Sequence, residues 1–119
     1  MSLQERMPQL NYAAVTGVVK KRSGLFSTLK GVSVIHLLVE NTLENSNRES
    51  GTDTWEIRVD IWGNAARALD ERLVVGDGIL AEGILAHREV EDYDGGKRYQ
   101  NVLRARRIEI LYTEKERKA

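Results

Sequence analysis

The chain has 119 residues, 18 of them basic and 18 acidic, and contains no cysteine. That length suits one domain, since domains cluster at about 100 to 150 residues and at that size bury well over half of their unfolded surface. Zero net charge excludes a global cationic field, the missing thiols exclude disulfides, iron–sulfur clusters and thiolate zinc sites, and no apolar run approaches the roughly 18 residues of a membrane span. The start MSLQERMPQL lacks the layout of a secretory signal, so the expected setting is the cytoplasm, with no cofactor or metal.

Residues 1–9 hold the only proline, Pro8, and show no periodicity, which reads as a flexible lead-in. From Leu10 to Lys21, LNYAAVTGVVKK is rich in β-branched and small residues and predicts a first strand, with Gly17 at a bulge or sharp bend. RSGLFSTLKG is a turn-rich connection. In the second strand, VSVIHLLVENT, Ile35, Leu37 and Val39 share one face and Val34, His36 and Leu38 the other. Apolar residues on both faces imply that the outer one is covered by a ligand or another subunit.

Asn41 to Asp53, NTLENSNRESGTD, is the most polar stretch and predicts a long hairpin loop. The third strand alternates Ile57, Val59 and Ile61 with Glu56, Arg58 and Asp60. Gly63 ends it, and Asn64 is expected to cap a helix over AARALDERL whose stripe of Ala65, Leu69 and Leu73 must close something larger. After a turn at Gly76 to Gly78 the fourth strand carries Ile79, Ala81, Gly83 and Leu85 on one side and Leu80, Glu82 and Ile84 on the other. A hairpin with its tip at Asp94, Gly95 and Gly96 leads to the last strand, QNVLRARRIEILY, and the charged tail TEKERKA is expected to fray. The domain is thus expected over residues 10–112, with residues 113–119 as tail.

Five strands with one short helix between the third and fourth predict an all-β OB-fold, a partly open Greek-key barrel with the helix as its end plug. Glycines inside strands, at Gly17 and Gly83, fit the bends that closing a small barrel requires. An enzyme is the poorest reading. His36 and His87 stand far apart, and Gly76-Asp77-Gly78 lacks the context of a dinucleotide loop.

The block from Asp53 to Tyr99, with I-W-G-N, the helix, V-G-D, A-E-G-I-L and D-G-G-K-R-Y, resembles the central part of bacterial single-stranded DNA-binding proteins. NYAAVTGVV is similar to the family's opening strand, and RRIEIL to its close. The resemblance implies a homo-oligomer, dimer or tetramer, that binds single-stranded DNA without sequence preference in replication, repair or recombination. The family ends in an acidic tail that recruits other replication and repair proteins. Here the chain stops at EKERKA, which implies a truncated form or a tail-less relative similar to primosomal replication protein B, with replication or primosome proteins as the partners the resemblance implies. That second case carries its own alternative, an interaction module with weak or no DNA binding.

Single strands are held by rings that stack on bases, at roughly 1 to 3 kcal/mol each, and by cations that follow the phosphates. The candidate set is Trp62, Trp55, Arg58, Lys20, Lys21, Arg22, Arg88, Lys97, Arg98, Tyr99, Arg104 and Arg106. Trp62 shares a face with Glu56, Arg58 and Asp60, either as a stacking platform or as an aromatic covered by the helix or a partner. It matches a position where the family places a base-contacting aromatic. Trp55 matches the family's stacking tryptophan but stands one residue further from Trp62, so regular alternation sends it to the core and only a bulge near Glu56 returns it to the binding face. Two more stacking positions of the family are held by Leu43 and Val90, which implies weaker binding. Arg104 and Arg106 are expected to point the same way and meet Arg58.

Overall fold

Period-two alternation decides most of the architecture, because a strand that turns its apolar residues to one side must bury that side. The structure, a computed structural model, describes residues 3–44 and 52–119. Its elements are α1 (Leu3–Arg6), β1 (Ala13–Arg22), β2 (Phe26–Ser27), β3 (Ser33–Glu44), β4 (Thr52–Trp62), α2 (Asn64–Asp70), β5 (Gly78–Glu91), β6 (Lys97–Tyr112) and α3 (Glu114–Lys118). The strands run in the order β1-β5-β6-β4-β3, and a further pairing of β1 with β3 closes the sheet on itself. β4 and β6 run parallel, with Val59 opposite Leu103, while every other pairing among the described residues is antiparallel. This is the five-stranded OB barrel that the element order predicts.

Ile35, Leu37, Val39, Val59, Ile61 and Ile79 fill the interior, each contributing about 1.5–3 kcal/mol on burial. One end is closed by α2, whose Ala66 and Leu69, with Leu73 just beyond, are buried against the barrel. Closure brings backbones close together at the two strand glycines. A Cβ on Gly83 would lie 1.9 Å from the Arg104 carbonyl oxygen, and one on Gly17 would lie 2.4 Å from that of Glu40. At Gly83 the β5–β6 register slips by one residue, and along β1 the pairing with β3 shifts between Val19 and Lys21.

Several expectations are corrected. Asn64 does not cap α2: Gly63, at φ 70°, occupies the cap without a side-chain bond, and Asn64 is the first helical residue, its Oδ1 accepting from Arg67 Nη2. β4 turns straight into the helix there, which needs a positive φ that glycine adopts without steric cost. The connection after β1 contains β2, whose Phe26 pairs with Val34. Val34 is accordingly buried by its own chain and needs no external cover. The predicted hairpin loop is shortened at both ends, since β3 and β4 pair out to Glu44 opposite Thr52, while residues 45–51 lie outside the described residues.

The tail is ordered into α3 rather than frayed. Thr113 accepts from the Glu116 amide and Glu116 returns a bond to the Thr113 amide, a capping box over TEKE that apolar periodicity does not reveal. Asp77, 1% exposed, joins this helix to the barrel by accepting from the amides of Val74 and Glu114. Within the lead-in, Leu3–Arg6 forms one helical turn.

Candidate nucleic-acid interface

β3 and β4 pair in unbroken register, so their even-numbered residues share the outer face: Val34 opposite Trp62, His36 opposite Asp60, Leu38 opposite Arg58. The parallel junction sets Asp60 beside Arg104 of β6, which is itself opposite Ile84 of β5. One surface over four strands therefore gathers Trp62, Arg104, Arg58 and Arg88. Trp62 is 36% exposed, and the Arg104 guanidinium carbon stands 5.4 Å from its ring centroid, a cation–π contact of about 0.5–2 kcal/mol that orients both side chains. The indole also lines an apolar cavity with Leu29 and Val32, from the segment between β2 and β3.

Beside it, a cavity of about 300 Å³ is lined by Lys21, Arg22, Ser23, His36, Leu37, Leu38, Arg58 and Arg88. Behind the His36 and Arg88 side chains of that lining lies a buried charge. The carboxylate of Asp60, 2% exposed, has Oδ1 2.6 Å from His36 Nδ1 and 3.1 Å from Arg88 Nη1, and the Phe26 ring tilts over His36 with centroids 5.1 Å apart. Neither Lys21 nor Arg58 has a hydrogen-bond or ion-pair partner among the described residues. Phe26, His36 and Asp60 were missed in the sequence as site residues. The signal lay in the outward position of both His36 and Asp60, but their meeting depends on a register that alternation does not specify.

The other predicted residues are dispersed. Arg22 is a structural anchor: Nη1 donates to the carbonyls of Asp70 (3.1 Å) and Leu73 (2.7 Å), and Nη2 to the Asp70 carboxylate (2.6 Å), tying down the end of α2. Lys20 pairs loosely with Glu40 at 3.8 Å. Lys97 and Arg98 sit on the β5–β6 hairpin against Glu89 (3.4 Å) and Asp92 (2.7 Å), so acidic neighbours offset both. Tyr99 stacks on His87 with centroids 4.7 Å apart, at odd positions of the ribbon, facing away from Arg88.

Arg106 does not share the surface of Arg104. β6 carries one extra residue opposite the step from Glu82 to Gly83, and Arg106 lines a separate cavity with Tyr12, Glu82 and Arg107. There the Tyr12 hydroxyl donates to Glu82 at 2.7 Å, and this bond, with the negative charge of Glu82, raises the tyrosine above its ordinary pKa. Trp55 meets neither expectation. No bulge interrupts β4 near Glu56, so Trp55 keeps the parity of Ile57, yet it lies beyond the end of the core and remains 37% exposed, its indole N–H donating to Asn41 Oδ1 at 2.8 Å. Leu43 is exposed and Val90 half-buried.

A closed barrel, a helix plugging its end and an outer face of aromatic and cationic side chains define the molecule as an OB-fold protein. Its membership is narrower than the fold. Residues 10–111 match the single-strand binding protein family, to which the chain belongs. It is 32% identical over 111 residues to a single-stranded DNA-binding protein of Deinococcus radiodurans, with 90% of this chain and 36% of that one aligned. Two crystal structures of the Thermus aquaticus single-stranded DNA binding protein, a deletion mutant and the wild type, superpose with TM-scores of 0.72 and 0.71 at 28% identity, covering 86% of this chain and 50% of theirs. The chain thus spans about half the length of these solved relatives and little over a third of the curated one. No helix among the described residues is long and apolar enough to cross a membrane.

Proposed function

We infer that the chain binds single-stranded DNA without sequence preference, laying the strand across the outer face of β3, β4, β6 and β5. The observation that carries this reading is the placement of Trp62, backed by Arg104, on the same surface as Arg58 and Lys21, two cations with no partner among the described residues. A base stacks on the indole while its neighbouring phosphates meet the guanidinium and ammonium groups. Nothing in such an interface reads base edges, and its work is binding rather than catalysis, in support of replication, repair or recombination. Relatives named for the same activity lend support, and a homo-oligomer is part of the reading.

Titration of intrinsic tryptophan fluorescence and of labelled oligo-dT anisotropy at low and high salt tests it. The expected result is a fluorescence change at low salt that is lost steeply as salt rises, because counterion release drives phosphate binding. Unchanged emission and unchanged anisotropy at low salt would overturn it in favour of a module that contacts protein partners alone. Sedimentation analysis checks the assembly, with a dimer or tetramer expected.

A further inference from the structure

We propose that Glu40 and Glu56 fence the cationic face, keeping a bound strand off the β3–β4 hairpin and confining it to a short footprint. The inference rests on the single-strand-binding reading above and adds residues that bound the strand rather than hold it. The outer face of β3 and β4 is a series of pairs in register: Val34 with Trp62, His36 with Asp60, Leu38 with Arg58, and then Glu40 with Glu56. Lys21 of β1 stands opposite Leu38 at the third pair. Asp60 is buried and engaged by Arg88, so up to that pair the exposed charge is cationic. At the next pair it turns acidic, and beyond it Thr42 and Thr54 carry no charge.

Two carboxylates directly opposite one another repel, which destabilises a strand pair. Protection of a sheet edge does not account for this one, because Glu40 is flanked on both sides, by Val18 of β1 and by Glu56 of β4. The only ion pair of Glu40 among the described residues is the loose one with Lys20, at 3.8 Å. Glu56 has no partner among the described residues. The pair therefore presents net negative charge to an approaching strand even with Lys20 counted.

Residues two apart on a strand stand about 7 Å apart along it, inside the Debye length of about 10 Å at 0.1 M salt. A strand that left Arg58 along the hairpin would bring its next phosphate against Glu40 and Glu56 with no free cation to meet it. Crossing the sheet brings that phosphate to Arg104 and Arg88 instead. The far side is short as well. On the β5–β6 ribbon the residue of the same face beyond Arg88 is Val90, and Arg98 opposite it is held 2.7 Å from Asp92. OB-folds occupy roughly 4 to 16 nucleotides each, and these two limits place the chain near the lower bound, at about four to six.

The test is titration of tryptophan fluorescence at low salt with oligo-dT of graded length, from about 5 to about 30 nucleotides, and with poly-dT. Wild-type protein is expected to saturate poly-dT at about four to six nucleotides per chain. The double variant Glu40→Gln, Glu56→Gln is expected to occupy more nucleotides and to bind the longest oligonucleotide about threefold or more tightly, with the shortest nearly unaffected. High salt, which screens the repulsion, is expected to abolish that gain. The control Glu71→Gln, Glu91→Gln removes the same charge at the end of α2 and on the far face of the ribbon, and is expected to behave as wild type. Thermal melts are expected to show Glu56→Gln at least as stable as wild type, since a repulsion is removed. A lower melting midpoint assigns the pair to the fold and overturns the proposal. So does a wild-type site of about ten nucleotides or more, the absence of any gain in the double variant, or a gain shared by the shortest oligonucleotide or by the control, each leaving strand binding intact. Failure of wild-type protein to bind any length overturns both.

Discussion

Trp62 and Trp55 stand an odd number of positions apart on β4, so a regular strand sends them to opposite faces, and only Trp62 joins the cations. Replacing Trp62 with alanine should weaken oligo-dT binding by about 1–3 kcal/mol, the contribution of one stacked base, with the protein still folded. Trp55→Ala should cost less, since its indole N–H is already held by Asn41. Equal losses in an anisotropy titration would mean that the strand wraps round the edge of the β3–β4 hairpin. Tyr12 offers a separate check at the alkaline end. Its folded pKa is raised, so its bond to Glu82 stabilises the fold below the ordinary tyrosine value and is lost as pH rises through the folded one. Chemical denaturation should show wild type losing its advantage over Tyr12→Phe as the solution is made alkaline.

Two elements depend on polar anchors that their own sequences do not contain. α2 is seven residues long, too short to persist alone, and Arg22 from the end of β1 binds the carbonyl of its last residue, Asp70, and that of Leu73 just beyond it. Arg22→Ala should lower stability by about 1.5–3 kcal/mol, the usual contribution of hydrogen bonds to a charged group, with urea denaturation as the measure. Lys20→Ala next to it should cost little, because its pair with Glu40 is loose and exposed. α3 depends on its capping box and on Asp77, and the Lys118 ammonium, 2.5 Å from Glu114, holds that carboxyl below the ordinary glutamate range. Thr113→Ala should therefore remove amide-exchange protection from residues 114–118 and leave the barrel amides protected.

At the scale of the molecule, zero net charge conceals an uneven distribution. Acidic residues neutralise the hairpin cations Lys97 and Arg98, and Arg107 is paired with Glu82 and Glu109, while Lys21, Arg58 and Arg104 on the outer face have no carboxylate partner among the described residues. Binding should consequently be as salt-sensitive as the face dictates and not as the total charge would suggest. Neutralising Arg58 and Arg88 together should flatten the dependence of log affinity on log salt by about 0.7 for each phosphate left without its cation, whereas neutralising Arg107 and Lys115 should leave the slope unchanged. A common change of slope in both variants would show that the field of the whole protein, not this face, attracts the strand.

Much of this was legible in residue order. The run from Trp55 to Leu85 determined a strand, a helix and a strand, because apolar spacing of two and then of three to four residues leaves few ways to bury a core. The glycines at 17 and 83 marked where backbones would press together, and Trp62 declared its face by parity alone. Tertiary structure decided the rest. Parity says which side a residue takes but not which residue on another strand it meets, so the cluster of His36, Asp60 and Arg88 required the register of β3, β4 and β5. For the same reason one extra residue in β6 separated Arg106 from Arg104, and the closing of the barrel end turned Arg22 from a surface cation into the anchor of a helix. Local pattern is set by the chain's own period, whereas a site is set by contacts between segments far apart in sequence.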